Sequence, residues 1–527
     1  MLPAALVVAA AVAAHAAALP NRFVWDDEPI VVEDPATKDL GQLPTVLLSP
    51  DEVKPYYRPL NRASYLVDYQ LFGMSPGGFH LVNLLVHAAG ALALYALGLA
   101  LFARRGPALA AALLLAVHPI HSESVAFVSA RNNLFALAFS LVALLLFVHA
   151  ARRRSMPLAW GSGLAFFLAL ASKEQGLMVL AVIVALLVLR STRSLLGGAP
   201  RWTVLVPHGV ALALYAGLRT AALGGPGGGG AATIWTGLGG RLAQNLYVLP
   251  TYLGLSLFPS GLTVFHELPA RGWSLWWVPL AWVAILGALA LLLRRPSPVA
   301  TLGLLWLGLQ LLPVANIVPI PSASMAERFF HLPAIGLWIV LADVGARLAA
   351  GVPARWVTAA TASALVALGV RSAVRDRDWR DDVALFESAV AVDPRSPSAT
   401  FNLGVALKDA GDLDGAARAW RATLALAPDD PGAHAQLGTL AAVQGDLAAA
   451  EAHYRAALHV DPALQEALFN LGRICERTGR TAEAVVHYRA AVAAAPTSYG
   501  AGIGDRARER LRALDAPAGA RPGVASP

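Results

Sequence analysis

The sequence predicts an all-α protein in two parts, a bundle of membrane-spanning helices followed by a solenoid of repeated helix pairs. Long apolar runs fill the N-terminal part, and hydrophobic residues make up 57% of the 527 residues, against 14% for charged residues. A chain with a mean hydropathy of +0.56 belongs in a membrane, and this one is too long for a single domain. The C-terminal part is less apolar and repeats its own sequence.

The repeat is visible without gaps. Residues 402–404 (Asn-Leu-Gly) return as 436–438 (Gln-Leu-Gly) and again as 470–472 (Asn-Leu-Gly), an interval of 34 residues. This is the period of the tetratricopeptide repeat, in which a small residue lies where two helices touch. We therefore predict a membrane domain over 1–376, a half repeat and junction over 377–397, three repeats over 398–498, a capping helix over 499–514 and a disordered tail over 515–527.

Apolar runs of about 18 residues or more predict the membrane spans. The first run ends near small residues but has no basic start, so we expect a retained span and not a cleaved signal peptide. The segment 242–258 is interrupted by Pro250 and followed by Pro259, and we expect a re-entrant or interfacial helix pair there. The predicted spans lie near residues 2–19, 79–103, 107–127, 132–150, 157–174, 176–190, 202–221, 274–293, 298–318, 329–348 and 355–374.

Arginine clusters between the spans predict the orientation. If 242–258 does not cross, all clusters fall on one face, which the positive-inside rule makes cytoplasmic. The odd number of spans then sends the repeats to the outer face. Topology thus accounts for the net charge of +7, and we expect no nucleic-acid partner. The clusters are Arg104-Arg105, Arg152–Arg154, Arg190–Arg193, Arg294-Arg295 and Arg347–Arg355.

The outer face collects ionisable groups from distant loops, and such groups at the ends of apolar spans are functional candidates. Asp26 and Asp27 follow the first span and are candidates for a general base or a metal ligand, with a solvated loop as the alternative. His118, His121 and Glu123 could hold a divalent ion, although their spacing matches no zinc template and hydrogen bonding is the commoner role.

Four cations on the same face could hold an anionic leaving group, which at a bilayer surface is naturally a lipid phosphate. Anchoring of lipid headgroups is the alternative. Two acids adjoin these cations, Glu174 beside Lys173 and Glu327 beside Arg328, and we count them among the residues that shape the site. The four cations are Arg58, Arg131, Lys173 and Arg328.

Six motifs occur in order along the membrane part: Phe23–Glu28, Tyr57–Leu60, Gly78–His87, His118–Glu123, Ala171–Gly176 and Ala326–Pro333. Together with the repeats they resemble the transmembrane and tetratricopeptide repeat-containing O-mannosyltransferases and their bacterial relatives, membrane glycosyltransferases of the C-type fold. The resemblance implies a polyprenyl phosphate monosaccharide as donor and inverting transfer, on the extracytoplasmic face of a bacterial inner membrane, to a hydroxyl such as a protein Ser or Thr. It also implies an acid of the first external loop as catalytic base, here Asp26 or Asp27.

One segment departs from the family. Where relatives commonly carry Gly-Arg followed by an acid, this chain has Ala130-Arg131-Asn132-Asn133. The departure implies altered donor contacts or a reduced role for any metal. A different class of function also fits the sequence: a non-catalytic membrane scaffold for envelope protein assembly, in which the repeats recruit partners and the outer charges anchor lipid. In either case the tetratricopeptide groove is a candidate site for an acceptor protein or peptide, with a plain structural surface as the alternative.

Overall fold

The computed structural model describes residues 1–50, 56–102, 104–198, 202–225, 238–267, 277–294, 297–315, 325–494 and 502–515. In these ranges every regular element is a helix, and the chain divides into two compact units, Met1–Ala384 and Leu385–Pro527. The predicted all-α class is confirmed. The predicted tail after Asp515, the start of the predicted capping helix and Arg295 lie outside the described residues, and Asp515 itself ends the last described helix.

The first unit is a bundle of apolar helices. Among its described helices, five are long and apolar enough to cross a membrane, and seven spans result if each of two bent pairs counts as one. The chain is therefore a multi-pass membrane protein. Its helices are α1 (Leu2–His15), α2 (Leu43–Leu48), α3 (Pro59–Phe72), α4 (Pro76–Leu101), α5 (Arg105–Val117), α6 (Ser122–Ala126), α7 (Arg131–Arg153), α8 (Met156–Ser172), α9 (Met178–Val188), α10 (Val206–Leu223), α11 (Leu238–Leu257), α12 (Trp277–Arg294), α13 (Pro298–Leu311), α14 (Ala334–Leu348) and α15 (Ala354–Asp378), and α16 (Asp382–Val392) contains the unit boundary.

Three predicted segments differ in detail. The helix pair expected over 242–258 is a single helix, α11, which continues through Pro250. The predicted span 107–127 is instead bent by 51° at His118, because Pro119 lacks an N–H and holds the preceding residue in an extended conformation. The predicted span 176–190 belongs to a pair of helical segments, Glu174–Val188 and Arg190–Leu196, that meet at 99°.

Small residues bring neighbouring helices of the bundle close together. At the contact of α13 with α14, a Cβ atom added to Gly303 would lie 2.7 Å from the carbonyl oxygen of Gly336. Only glycine permits this separation, and close backbone approach at small residues is the usual mode of helix association in membranes. The contact fixes α14, whose N-terminal end adjoins the motif that carries Glu327 and Arg328.

The second unit consists of stacked helix pairs. First helices of successive pairs begin at Pro397, Pro431 and Gln465, which are 34 residues apart. The turns inside the pairs contain Gly411, Gly445 and Gly479 with φ of +89°, +86° and +77°, a left-handed conformation that glycine adopts without strain. The helices are α17 (Pro397–Asp409), α18 (Leu413–Leu426), α19 (Pro431–Val443), α20 (Leu447–Val460), α21 (Gln465–Arg477), α22 (Thr481–Ala493) and a final α23 (Ile503–Asp515).

Candidate active site

The loop after α1 is held in a strained conformation at Trp25. This residue has φ of +53°, which is unfavourable for a bulky side chain, and its N–H donates to Asp382 Oδ1 at 2.8 Å. Its indole stacks on Phe127 at 5.7 Å between ring centroids and meets the edge of Phe265 at 5.4 Å. Strain of this kind persists where the surroundings over-determine the backbone, and it is common at functional sites. The anchored indole fixes the position of the next residue, Asp26.

The two adjacent acids of this loop have different environments. Asp27 is fully buried and accepts hydrogen bonds from Ser129 N at 2.7 Å, Ser129 Oγ at 2.5 Å and Val24 N at 3.2 Å. Burial outweighs these bonds and raises the pKa of Asp27 to about 7. Asp26 is half-buried and retains access to solvent. Asp27 therefore ties the first loop to the start of α7, whereas Asp26 keeps part of its surface exposed.

Three of the predicted cations form one charged cluster. Arg58 donates to Glu174 Oε2 from Nη2 at 2.9 Å, and Lys173 Nζ donates to Asn133 Oδ1 at 2.6 Å. The cluster is compact enough for its charges to act on one another: burial and, to a smaller extent, the Arg58 guanidinium lower the pKa of Lys173 to about 7. Lys173 lies in the turn between α8 and the following short helix, outside both.

Arg328 joins this cluster to the first loop. Its backbone N–H donates to Glu123 Oε2 at 2.7 Å, and its guanidinium forms an ion pair with the same carboxylate. The guanidinium carbon lies 5.8 Å from the Trp25 ring centroid and 5.2 Å from that of Phe329. The structure thus brings Trp25, the neighbour of Asp26, next to the cation cluster. The segments that meet here lie up to about 300 residues apart in sequence.

The predicted histidines belong to a buried hydrogen-bond network. His121 Nε2 accepts from the Trp338 indole N–H at 3.1 Å, so the His121 proton lies on Nδ1 and is donated to His331 Nδ1 at 2.9 Å. His118 Nδ1 accepts from Ile120 N at 3.1 Å, and its Nε2 lies 3.0 Å from the Ser256 carbonyl oxygen. Both rings therefore use both nitrogens within the protein.

This network does not fit the metal site that His118, His121 and Glu123 could have formed. The nitrogens are engaged, and the Glu123 carboxylate is paired with Arg328. In the part of the chain that the structure describes, no group of three His, Cys, Asp or Glu side chains is arranged to hold a metal ion. The three residues instead stabilise the bend after α5.

Arg131 lies apart from the cation cluster. Its side chain is fully buried and pairs with Asp68 at 2.5 Å, while it also donates to Asn83 Oδ1 at 2.6 Å and the Phe79 carbonyl oxygen at 2.8 Å. These contacts join α3, α4 and α7. The structure therefore places Arg131 as an internal brace and does not bring it to the position expected of a phosphate ligand.

Glu327 is also directed into the protein. It is fully buried, and its Oε1 accepts from Thr263 N at 2.5 Å and lies 3.4 Å from His266 Nε2 and 3.8 Å from Arg375 Nη2. The carboxylate thus ties the loop after α11 to the end of α15. Of the two acids predicted beside cations, only Glu174 joins the charged cluster.

An apolar groove of about 660 Å³ opens close to the cluster. It begins at Leu177, three residues after Glu174, and follows α9 to Leu189 along the side of α13. The sequence does not reveal this groove, because apolar residues that line a groove and apolar residues that face lipid have the same composition. Its lining comprises Leu177, Met178, Leu180, Ala181, Val184, Ala185, Val188, Leu189, Leu305 and Leu309.

Comparison with known proteins agrees with this architecture. A family model described as dolichyl-phosphate-mannose-protein mannosyltransferase matches residues 66–220, and one described as tetratricopeptide repeat matches 368–431 and 435–499. A protein O-mannosyl-transferase of Caenorhabditis elegans is 25% identical over 79% of this chain and 62% of its own length. One of Homo sapiens is 27% identical over 78% of this chain and 65% of its own length.

The resemblance to the transmembrane and tetratricopeptide repeat-containing O-mannosyltransferases is confirmed. This chain spans somewhat less than two thirds of the length of these two relatives. Among solved structures, an archaeal oligosaccharyltransferase from Archaeoglobus fulgidus, in complex with an inhibitory peptide and a dolichol-phosphate, aligns with a TM-score of 0.42 at 13% identity. That alignment covers 73% of this chain and 55% of the archaeal one.

Proposed function

We propose that this chain is a membrane glycosyltransferase of the C-type fold that moves a monosaccharide, such as mannose, from a polyprenyl phosphate to a hydroxyl acceptor. The observation that carries the proposal is the cluster of Arg58, Lys173 and Arg328, which contacts the first loop through Trp25 and lies close in sequence to Leu177, where an apolar groove begins. A lipid phosphate needs cations at the membrane surface and an apolar surface for its chain. The family match supports the same chemistry.

In the proposed reaction Asp26 is the general base. Its carboxylate accepts the proton of the acceptor hydroxyl, the hydroxyl oxygen bonds to the anomeric carbon, and the bond from that carbon to the phosphate oxygen breaks. Because one base and a stabilised leaving group suffice, transfer occurs in a single displacement with inversion. Asp27, which is buried and engaged by Ser129, positions the loop.

The three cations have different roles in binding the phosphate of the donor. Arg328 and Lys173 stabilise the charge that develops on the departing phosphate, and Arg58, held by Glu174, completes the anion site. The cluster comprises these three cations and the two carboxylates of Glu123 and Glu174. It therefore has one positive charge in excess when Lys173 is protonated. The lipid chain of the donor occupies the groove along α9.

The test is transfer from a radiolabelled polyprenyl phosphate mannose to a short peptide that contains Ser and Thr. We expect Asp26→Asn to lower the rate by about 10² to 10⁴ without a change in thermal stability. Asp39→Asn is the matched control, because Asp39 is an exposed acid of the same loop region. Full activity of Asp26→Asn would remove the proposed base.

The cations are tested by the same assay. Lys173→Gln and Arg328→Gln should each lower the rate by about 10² to 10³, and Lys38→Gln, at an exposed lysine, should not. A protein that transfers no sugar from any polyprenyl phosphate donor, but still recruits partners through its repeats, would instead be the membrane scaffold. Residual transfer to a small acceptor after deletion of the repeats would support the enzyme.

We further propose that the active face and the repeats are extracytoplasmic, in a bacterial inner membrane. The arginine clusters and the odd number of predicted spans support this orientation. The sole cysteine, Cys475, is buried, so a cysteine introduced at the exposed Val443 can be labelled selectively. Labelling of Val443→Cys by an impermeant maleimide in intact spheroplasts is expected, and labelling only after the membrane is opened would contradict the orientation.

A further inference from the structure

A small polar pocket lies in the second unit, between the first helix of the third repeat, α21, and the final helix, α23. Phe469 and Ile503 are buried and form its apolar floor. The pocket encloses about 150 Å³, which suits one side chain of a ligand. Its lining residues are Glu466, Phe469, Asn470, Arg473, Ile503 and Arg506.

Two arginines, Arg473 and Arg506, lie at the rim of this pocket. Arg473 and Arg506 are exposed, and neither forms an ion pair with any described carboxylate, whereas the neighbouring Arg510 is paired with Glu476. The Arg506 guanidinium carbon lies 5.4 Å from the Phe469 ring centroid. This contact holds the guanidinium over the floor of the pocket.

The pocket also contains one acid, Glu466. It is half-buried, and its Oε1 accepts a long hydrogen bond from Gln436 Nε2 at 3.4 Å. Lys408, on the first helix of the first repeat, acts on the Glu466 carboxylate, as does Arg506. Lys408 is itself paired with Asp409, so the charged lining residues Arg473, Arg506 and Glu466 set the balance, which is one positive charge in excess when Glu466 is ionised.

Amide side chains lead to the pocket. Asn402 and Gln436 occupy, in the two preceding repeats, the position that Asn470 occupies in the third. In a solenoid, equivalent positions of successive first helices align along one surface. Asn402 Nδ2 donates to the Ser398 carbonyl oxygen at 2.8 Å and Gln436 Nε2 donates to Glu466, so the amide oxygens of this row are the atoms that can accept from the backbone of an extended peptide.

We propose that this pocket binds an acidic side chain of an extended peptide, whose carboxylate lies between Arg473 and Arg506. Guanidinium groups match the geometry of carboxylates, and the volume admits a single side chain and excludes a folded domain. The amide positions would bind the peptide backbone on the approach. This inference does not depend on glycosyl transfer, since all the residues involved belong to the second unit.

The test is binding of a fluorescently labelled oligoglutamate peptide to the full chain in detergent, measured by polarisation. We expect it to bind at least about tenfold more tightly than an oligoglutamine of the same length, and to weaken as salt is added. Arg473→Gln and Arg506→Gln should each lower the affinity about tenfold. Arg508→Gln is the matched control, because Arg508 lies on the same helix and pairs with Asp505.

A gain-of-binding variant keeps the inference testable if an arginine variant fails to fold. Glu466→Gln removes the only carboxylate among the described lining residues and should raise the affinity for oligoglutamate about threefold or more, because a repulsion is lost. Equal binding of the two peptides, or no gain with Glu466→Gln, would overturn the proposal. So would binding to vesicles of anionic lipid that depends on Arg473 and Arg506 while oligoglutamate does not bind.

Discussion

The stability of the folded protein should fall as the pH rises because of Asp27, and a single substitution at this residue tests the prediction. Burial raises the pKa of this carboxyl from its usual 3.8 to about 7, so between these values the folded chain holds a proton that the unfolded chain releases. The contribution of Asp27 to stability is therefore complete below pH 3.8 and is lost as the pH rises through 7. Because a tenfold change in proton affinity corresponds to about 1.4 kcal/mol, the full loss is on the order of 4 kcal/mol.

Asp27→Asn removes this titration. Its amide can keep the two bonds from Ser129 to Oδ1, but its NH₂ group would face the Val24 N–H, now 3.2 Å from Oδ2. One unsatisfied donor costs about 1 to 3 kcal/mol, so the variant should be less stable than the wild type at acidic pH. Above pH 7 the wild type must bury a charge and the variant does not. We expect the order of stability to reverse between these limits.

The assay is thermal unfolding of both proteins in detergent, followed by tryptophan fluorescence across the range from about pH 4 to about pH 8. The difference between the two midpoints isolates Asp27 from the other titrating groups. Asp39→Asn, at an exposed site, should show a constant difference from the wild type. A constant difference for Asp27→Asn as well would refute the assignment of a buried, proton-retaining carboxyl.

Three further substitutions test other parts of the first unit. Asn133→Asp should raise the pKa of Lys173, because it places a carboxylate beside the ammonium group. In a pH–rate profile, the pH above which transfer is lost should then move upward by about 1 to 3 pH units. An unchanged profile would mean that Lys173 does not act as a cation. Gly336→Ala should destabilise the helix contact by about 1 to 3 kcal/mol, whereas Gly345→Ala on the same helix should be near neutral in thermal unfolding, since a methyl group there meets no atom within 4 Å. Arg131→Ala should cost about 3 to 5 kcal/mol of stability, because it leaves the buried Asp68 without its partner. A variant that kept its melting temperature but lost affinity for the sugar donor would instead identify Arg131 as a donor ligand.

The architecture could be predicted from the sequence because a fixed period marks the repeats and a characteristic length marks the membrane helices. The 34-residue interval predicts where each helix pair begins, and apolar runs predict membrane helices. The bend at His118 was also readable, since Pro119 follows it inside an apolar run, but the prediction of an uninterrupted span gave the run's length more weight than its proline.

The partners of charged residues could not be read in this way. Arg58 and Arg131 both lie at the N-terminal end of a helix, and which acid is nearby in space decides where each side chain is held. Asp68, which neutralises Arg131, lies 63 residues away on α3, and Glu174, which holds Arg58, lies 116 residues away. The left-handed backbone at Trp25 was equally hidden, because nothing in its local sequence requires a positive φ and the surrounding rings impose it.

The shortness of α9 has a consequence for the surrounding bilayer. With the short helical turns that adjoin them, the segments that contain α9 and α13 are Glu174–Val188 and Pro298–Val314, which extend about 23 Å and about 26 Å against a hydrocarbon thickness of about 30 Å. Lipids beside these two helices must compress or tilt their acyl chains to meet them. The protein should therefore prefer thin membranes, and its activity in vesicles should fall as phosphatidylcholines with longer acyl chains replace shorter ones.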